Sequence, residues 1–330
     1  MGSTHRSHDC GMYGEIKLYT GTASPNLTEK IAKYLGVPIS GRDIVLFPND
    51  NLWIRLHDSA RGQDVYVVQT TSRPVHRNLM ELLIMLQTLR LDSAGRVTAV
   101  VPYLAYTRSD KKDKPRVPIT ARLLADMIEV AGADRYMTLD MHAGQIQGFF
   151  SIPGDVLSAY HILTDYMKDT IHKMKDPVVV AADLGFAKKA RNFAASVNCP
   201  VAFVEKRRKG ADDAAEAVSL IGEVNNRDVI IVDDEVDTAG SVSQAVHIVK
   251  EHGANQVYLV FVHPVFSGPA VKRLASLPLT QIITTDTIPI SPENKAALAG
   301  RLDILSVAPL LGEVIKRAHE GRSVGKMFNE

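Results

Sequence analysis

The stretch that decides the fold is VIIVDDEVDTAGSV, residues 229–242. An aliphatic run ends in two adjacent aspartates, Asp233 and Asp234, and a segment of mainly small residues follows. Short aliphatic runs of this kind are typical of strands buried in a parallel sheet. Because ligands bind beyond the carboxyl ends of such strands, we expect both aspartates at a ligand-binding edge.

The segment after the aspartates predicts a phosphate-binding helix start. Asp237 and Thr238 are residue types that cap helices, whereas Ala239, Gly240 and Ser241 are small enough to let a phosphate approach. Backbone N–H groups, the helix dipole and the two hydroxyls would bind the phosphate, and the two aspartates would meet sugar hydroxyls directly or through a metal. A solvated turn with a helix cap is the alternative for DTAG alone, but the adjoining acidic strand end favours a phosphosugar site.

The same pattern recurs along the chain, where aliphatic runs alternate with amphipathic segments. Strands are predicted within 65–70, 96–104, 135–142, 178–183, 201–206, 229–234, 257–263 and 281–286, and helices within 78–91, 119–133, 188–197 and 241–254. This alternation predicts an α/β fold with mainly parallel sheets covered by helices. EVAGADRYMTLDMHAG and VKEHGANQVYLVFVHPVFSG each run from a helix end through Gly-Ala to a strand, a His and a Gly, which favours two similar domains.

Length and composition bound the possible functions. A chain of 330 residues suggests two domains, with the boundary expected near SIPGDVLSA at 151–159. A net charge of +1 argues against bulk nucleic-acid binding, and no apolar run has the length of a membrane helix. The two cysteines, Cys10 and Cys199, fit a reducing compartment, so the cytoplasm is the expected location. Residues 1–14 are expected to be a disordered leader.

VIIVDDEVDTAGSV resembles the phosphoribosyl-diphosphate binding motif that type I phosphoribosyltransferases share with ribose-phosphate diphosphokinases. Four further stretches resemble the diphosphokinases alone: NLMELLIMLQTLR (78–90), YTRSDKKDKPRVPITARLLADM (106–127), LDMHAGQIQGFFSIPGD (139–155) and SGPAVKRL (267–274). The resemblance implies two similar phosphoribosyltransferase-type domains, each a mainly parallel sheet flanked by helices. The first, 15–157, would be the ATP side, carry the subunit contacts and be joined by 312–330, and the second, 158–311, would be the ribose 5-phosphate side.

The activity that the resemblance implies is transfer of an intact diphosphate from ATP to the C1 hydroxyl of ribose 5-phosphate, with release of AMP. His142 and Asp183 would help to hold the Mg²⁺ bound to the ATP phosphates, although a histidine like His142 is elsewhere more often a core residue. Leu184 and Phe186 depart from the small and glycine residues that usually follow this aspartate. EKRRKGADDAAE, residues 205–216, matches the family's mobile catalytic loop, in which Lys206 and Arg208 would close over the diphosphate.

Resemblance also assigns the nucleotide-binding positions. Phe47 would stack on adenine across a subunit boundary and Arg108 would bind the ATP phosphates; the other expected ATP-binding residues are Asn49, Asn51, Ser109 and Asp113. Asn51 and Ser109 stand where the family usually has Glu and Gln. We therefore expect ATP to remain the donor but discrimination against GTP to be weaker, unless main-chain groups alone recognise adenine.

Regulation and assembly follow by the same route. In the well-studied class of the family, phosphate activates and ADP inhibits at a site between subunits; the matching positions are Ser59, Arg61, Ser93, Arg116 and Ser323. Gly325 replaces a serine that is usual in the family, and Gly144 replaces another near His142. The family suggests a homo-hexamer built from dimers. Two alternatives stay open: a catalytically weak regulatory homologue within synthase assemblies, and a phosphoribosyltransferase.

Overall fold

The chain folds into two units, each built on its own sheet. The computed structural model describes residues 13–208 and 216–327, with the backbone alone at 206–208, 216–218 and 326. Unit 1 comprises residues up to 157 together with a C-terminal segment from 308, and unit 2 comprises 158–307.

The strands in chain order are β1 (Ile16–Thr20), β2 (Arg42–Leu46), β3 (Leu52–Leu56), β4 (Asp64–Val68), β5 (Arg96–Val101), β6 (Arg135–Leu139), β7 (Gly154–Leu157), β8 (Val178–Ala181), β9 (Val201–Arg208), β10 (Glu216–Ile221), β11 (Val229–Glu235), β12 (Val257–His263), β13 (Gln281–Thr285) and β14 (Leu302–Leu305). The helices are α1 (Pro25–Leu35), α2 (Val75–Leu91), α3 (Thr120–Val130), α4 (Tyr160–Ile171), α5 (Ala187–Ser196), α6 (Gly240–Glu251), α7 (Ala270–Ser276), α8 (Pro292–Ala297) and α9 (Ala308–His319).

Both units have mainly parallel sheets. Unit 1 has the strand order β1-β4-β5-β6-β7 with every neighbour parallel, and β2 and β3 form a separate antiparallel hairpin. Unit 2 has the order β10-β9-β8-β11-β12-β13-β14, in which the pairing of β10 with β9 is antiparallel and the other pairings are parallel. The predicted α/β fold with mainly parallel sheets is confirmed.

Burial explains why the central strands can be predicted from the sequence. All five residues of β4 and all seven of β11 are buried, as expected for strands with both faces covered. Helix α2 buries Leu79, Leu82, Leu83 and Leu86, which recur at helical spacing along one face. Strands β8 and β11 are parallel neighbours, so their carboxyl ends lie at the same edge of the unit 2 sheet.

The C-terminal segment of unit 1 begins at Ala308 and not at 312 as expected from the sequence. Helix α9 is continuous from Ala308 and packs against α1, and its Leu310 and Leu311 are buried. The two helices approach so closely that a Cβ on Gly312 would lie 2.5 Å from Cδ1 of Tyr34. Residues 308–311 therefore belong with unit 1, because splitting α9 would expose its apolar face.

All eight predicted strands are strands in the structure, but β1, β2, β3, β7, β10 and β14 were not predicted. Several of these carry little buried apolar surface: the hairpin strand β2 has no buried residue, and neither has β14. In the described part of the chain, no helix combines the length and apolar character needed to cross a membrane.

Candidate active site

The acidic end of β11 is buried in unit 2. Asp233 is 9% exposed and Asp234 is 4% exposed. Oδ1 of Asp233 accepts a hydrogen bond from the Asp234 N–H at 2.9 Å, and the Tyr160 hydroxyl donates to the Asp233 carbonyl at 2.8 Å. Burial, followed by the charge of Asp234, raises the pKa of Asp233 well above its usual value, and Asp183 raises it further. The carboxylates at this strand end therefore repel one another.

The segment after β11 is held by a second loop. The carbonyl oxygens of Val236 and Asp237 accept hydrogen bonds from the backbone N–H groups of Phe266 and Ser267, both at 2.9 Å. The next carbonyl, that of Thr238, accepts a bond from Nη1 of Arg273 at 2.9 Å. Three successive carbonyls are thus fixed from one side, which defines the backbone course of the predicted phosphate loop.

Helix α6 starts differently from the sequence-based expectation. Its N-cap is Ala239, at φ 61° in the left-handed region, and not Asp237 or Thr238. An alanine side chain cannot accept a hydrogen bond from the first-turn N–H groups, so this residue leaves them to other partners. Asp237, Gly240 and Ser241 are half-buried and Thr238 is exposed, so the helix start is open to solvent. Local geometry therefore suits an anion at this end of α6.

Asp183 lies two residues beyond the end of β8. It caps a short 3₁₀ helix, Leu184–Phe186, because its Oδ1 accepts the Phe186 N–H at 3.1 Å. Asp183 lies within electrostatic reach of Asp233, because β8 and β11 are parallel neighbours in the sheet. Among the described residues, no group of three or more His, Cys, Asp or Glu side chains is arranged to hold a metal ion by itself.

Lys206 and Arg208 lie in β9, and the structure describes only their backbone. Lys206 pairs with Val218 of β10. The rest of the predicted catalytic loop, 209–215, lies outside the described residues, as do residues 1–12 of the predicted leader.

His142 of unit 1 lies in the segment that follows β6. It is exposed, so it is not a core histidine. Gln145, in the next turn, donates a hydrogen bond to the buried carboxylate of Asp110, which joins this segment to the loop that carries the predicted ATP ligands. Arg108 and Asp113 of that loop are exposed. The residues of unit 1 that are predicted to bind the ATP phosphates are therefore accessible from solvent.

Ser109 has a structural task that its sequence position does not reveal. Its Oγ accepts the N–H of Thr120 at 3.3 Å, and its carbonyl oxygen accepts the N–H of Ala121 at 3.1 Å. These bonds satisfy N–H groups at the start of α3. The predicted role of Ser109 at the base must therefore share the hydroxyl with this cap.

Phe47, Asn49 and Asn51 form the loop of the β2–β3 hairpin. The Phe47 N–H donates to the Asn51 carbonyl at 2.8 Å, and Oδ1 of Asn49 accepts the Asn51 N–H at 3.2 Å. Asn49 thus shapes the loop. The Phe47 side chain is 45% exposed, which leaves its ring face available for stacking.

Three of the five expected effector residues come together in unit 1. Oγ of Ser59 donates to Oδ2 of Asp92 at 3.2 Å, and the Arg61 N–H donates to Oγ of Ser59 at 3.2 Å. Ser93 follows Asp92 directly, and its carbonyl accepts the Gly62 N–H at 2.9 Å. The other two positions, Arg116 and Ser323, lie in exposed segments elsewhere in unit 1.

Four residues that shape these sites were not predicted from the sequence: Tyr160, Arg273, Asp92 and Gln145, which is the hydrogen-bond partner of Asp110. Only Arg273 and Gln145 carried any signal, since both lie within stretches whose resemblance was recognised. Asp92 and Tyr160 act through contacts with residues distant in the chain, and no local pattern marks them.

Comparisons with known proteins cover both units. A family model described as the N-terminal domain of ribose phosphate pyrophosphokinase matches residues 16–132, and one described as a phosphoribosyl synthetase-associated domain matches 212–329. The ribose-phosphate pyrophosphokinase of Caldanaerobacter subterraneus subsp. tengcongensis is 44% identical over 313 residues, covering 95% of this chain and 98% of the relative. That of Aquifex aeolicus is 40% identical over 313 residues, covering 95% and 99%. The crystal structure of phosphoribosylpyrophosphate synthetase from Mycobacterium smegmatis matches with a TM-score of 0.88 and 37% identity, over 93% of this chain and 99% of that one.

Proposed function

Because this chain belongs to the ribose-phosphate pyrophosphokinase family, we infer that it is an enzyme of nucleotide biosynthesis that transfers the diphosphate of ATP to ribose 5-phosphate. The products are 5-phosphoribosyl 1-diphosphate and AMP. The observation that carries this function is the end of β11 in unit 2, where two buried aspartates lead into a helix start without a side-chain cap.

Ribose 5-phosphate is the ligand that this part of unit 2 fits. Its 5-phosphate would bind at the start of α6, where Thr238 and Ser241 supply hydroxyls and the helix supplies N–H groups. Its ring hydroxyls would meet Asp233 and Asp234, which can accept hydrogen bonds. Asp237, Ala239 and Gly240 complete the phosphate loop between them.

ATP is the ligand proposed for the exposed residues of unit 1. Arg108 and His142 would contact the phosphates, and the Phe47 ring would stack on adenine. Asn49, Asn51, Ser109 and Asp113 are the further proposed ATP-binding positions. The hydrogen bond between Gln145 and Asp110 supports this assignment, because it links the segments that carry His142 and Arg108.

Mg²⁺ is the proposed cofactor, and Asp183 is its proposed contact in unit 2. The residues fit this ion, since the mutual repulsion of Asp183 and Asp233 is of the kind that a nearby divalent cation relieves. Magnesium in such sites keeps several waters and binds substrate phosphates, so the lack of a three-residue cluster in the described chain agrees with it. When bound with ATP, the ion would offset negative charge on the phosphate oxygens.

Attack by the C1 hydroxyl on the β-phosphorus builds negative charge on the transferred group. Lys206 and Arg208 are proposed to stabilise that charge, Lys206 as a point charge and Arg208 through its planar fork of donors. Such cations accelerate the reaction when they bind the transition state more strongly than bound ATP.

The test is release of AMP from ATP by the full-length chain, measured with each component omitted in turn. AMP release that requires both ribose 5-phosphate and Mg²⁺ supports the proposal. A regulatory homologue would bind the ligands but release little AMP. A phosphoribosyltransferase would release no AMP from ATP, because it does not use ATP as a substrate. Either result would replace the proposed function.

A homo-oligomer is the proposed assembly, with a homo-hexamer built from dimers as the specific form. The β2–β3 hairpin supports it, because Val45, Leu46, Phe47 and Trp53 are 39–45% exposed on one hairpin. The proposed location is the cytoplasm, which the cysteine usage of the sequence favours.

Phosphate and ADP are the proposed effectors, but the expected site for phosphate already contains an anion. Oδ2 of Asp92 accepts hydrogen bonds from the Ser59 hydroxyl and from the N–H of Ala60. A phosphate would compete with this carboxylate for the same donors and would be repelled by its charge. We therefore propose that phosphate activation is weak in this enzyme.

Replacing Asp92 with alanine should lower the phosphate concentration needed for half-maximal activation by about tenfold, because donors are released and a like charge is removed. The measurement is AMP release as a function of phosphate at fixed free Mg²⁺. Asp165→Ala, at an exposed carboxylate on α4, is the control and should leave the curve unchanged. Identical curves for Asp92→Ala and the unmodified enzyme would contradict the proposal.

Replacing Asn51 with glutamate should raise the preference for ATP over GTP, expressed as the ratio of kcat/KM values, by about tenfold. A carboxylate only accepts, so it favours the adenine amino group and rejects the guanine carbonyl, whereas an amide tolerates both. The single change is cleaner than one that includes Ser109→Gln, because glutamine there would also remove the hydroxyl that accepts the Thr120 N–H. Asp50→Asn in the same loop is the control, and an unmoved ratio in Asn51→Glu would assign base recognition to other groups.

A further inference from the structure

The segment SGPAVKRL, 267–274, carries no role in the proposed function, yet it lies along the phosphate loop of unit 2. The Ser267 N–H donates to the Asp237 carbonyl at 2.9 Å, and Nη1 of Arg273 donates to the Thr238 carbonyl at 2.9 Å. The segment therefore contributes one backbone group and one charged side chain to the course of that loop.

Arg273 is anchored on one side and exposed on the other. It lies in α7, which is fixed to the unit by the buried side chains of Ala270 and Leu274. A Cβ built on Gly240 would lie 3.8 Å from its Nη1 and 3.7 Å from Oγ1 of Thr238. The guanidinium therefore lies at the start of α6, beside the hydroxyl proposed to bind phosphate.

The bond to Thr238 has a directional consequence. In a planar trans peptide the carbonyl oxygen and the next N–H point in opposite directions, so holding the Thr238 carbonyl also orients the Ala239 N–H. The left-handed conformation of Ala239, at φ 61°, is unfavourable for an L-residue and requires such external support. The guanidinium also offsets the partial negative charge of a carbonyl that would otherwise repel a nearby phosphate.

We propose that Arg273 is a positioning residue for the 5-phosphate of the acceptor sugar, acting through the Thr238–Ala239 peptide. This inference rests on the proposed function, since it assumes that a sugar phosphate binds at the start of α6. It predicts that Arg273 governs affinity for ribose 5-phosphate and has little effect on affinity for ATP.

The test compares Arg273→Ala with Lys272→Ala in the full-length enzyme. Loss of a charge-assisted bond should raise KM for ribose 5-phosphate by about tenfold in Arg273→Ala and leave KM for ATP unchanged. Lys272→Ala removes an equal charge from the adjacent exposed position of α7 and should change neither KM. Guanidinium ion at millimolar concentration should restore part of the lost affinity in Arg273→Ala, which a general loss of structure would not allow.

Arg273→Lys covers the case in which the alanine variant fails to fold. Lysine retains the charge but not the planar fork of donors. The KM of Arg273→Lys for ribose 5-phosphate should therefore lie between those of the unmodified enzyme and Arg273→Ala. Unchanged KM for ribose 5-phosphate in Arg273→Ala, an equal rise in Lys272→Ala or a parallel rise in KM for ATP would overturn the inference. Calorimetry separates it from the proposed function: failure of the unmodified enzyme to bind ribose 5-phosphate removes both, whereas normal binding by Arg273→Ala removes this inference alone.

Discussion

Replacing Lys206 with alanine is expected to lower the turnover number for AMP release by about 100- to 1,000-fold while changing KM for ATP much less. A loss of this size corresponds to about 3–4 kcal/mol of transition-state stabilisation, as found when one group that meets developing charge is removed. Lys206 lies near the end of β9, where its backbone pairs with Val218. The measurement is steady-state AMP release with both substrates varied.

Two further variants define the role of the Lys206 charge. Lys206→Arg keeps a cation and should lose less turnover than Lys206→Ala, although the shape of the head group differs. Lys168→Ala removes an exposed lysine of α4 and should leave turnover unchanged. A rise in KM for ATP at constant turnover would place Lys206 in substrate binding and contradict the transition-state role.

The fold could be predicted from the sequence wherever a strand is buried on both faces. Strands β4 and β11 are buried throughout and contain the apolar runs VYVV and VIIV, and such runs can be recognised without a structure. The hairpin strands β2 and β3 were missed because much of their surface is exposed, so they lack that signal. The start of the C-terminal segment that joins unit 1 was predicted at 312 and lies at Ala308, because its membership of unit 1 depends on packing against α1, which is distant in sequence.

The candidate site was predictable in its residue types and less so in its geometry. The position of Asp233 at the end of a buried strand was predicted correctly, because the aliphatic run before it in the sequence marks that strand. The predicted N-cap of α6, Asp237 or Thr238, was wrong. The left-handed turn at Ala239 is associated with hydrogen bonds from residues 266–273, and the local sequence does not indicate that this segment lies nearby. The hydroxyl of Ser109 was likewise assigned to a ligand alone, whereas it also completes the start of α3.

Replacing Gly240 with valine is expected to abolish measurable binding of ribose 5-phosphate, a loss of affinity greater than about 100-fold, and to leave the protein folded. The φ of Gly240 lies outside the left-handed region, so the residue does not need to be glycine for its backbone conformation. A Cβ there would make only ordinary contacts, 3.7 Å to Oγ1 of Thr238 and 3.8 Å to Nη1 of Arg273. The added methyl groups of valine would instead occupy the space beside these two groups, where the phosphate is proposed to bind.

Titration calorimetry with ribose 5-phosphate decides the matter for Gly240, with the thermal midpoint as a check on folding. Gly240→Ala adds the Cβ alone and should weaken binding less than valine does, because a single methyl group fills less of the phosphate's approach. His247→Ala, on the exposed face of the same helix, should bind as the unmodified protein does. Since the glycine is not required by the backbone, a folded Gly240→Val variant with normal affinity for ribose 5-phosphate would mean that the phosphate lies elsewhere, and the start of α6 would lose its proposed ligand.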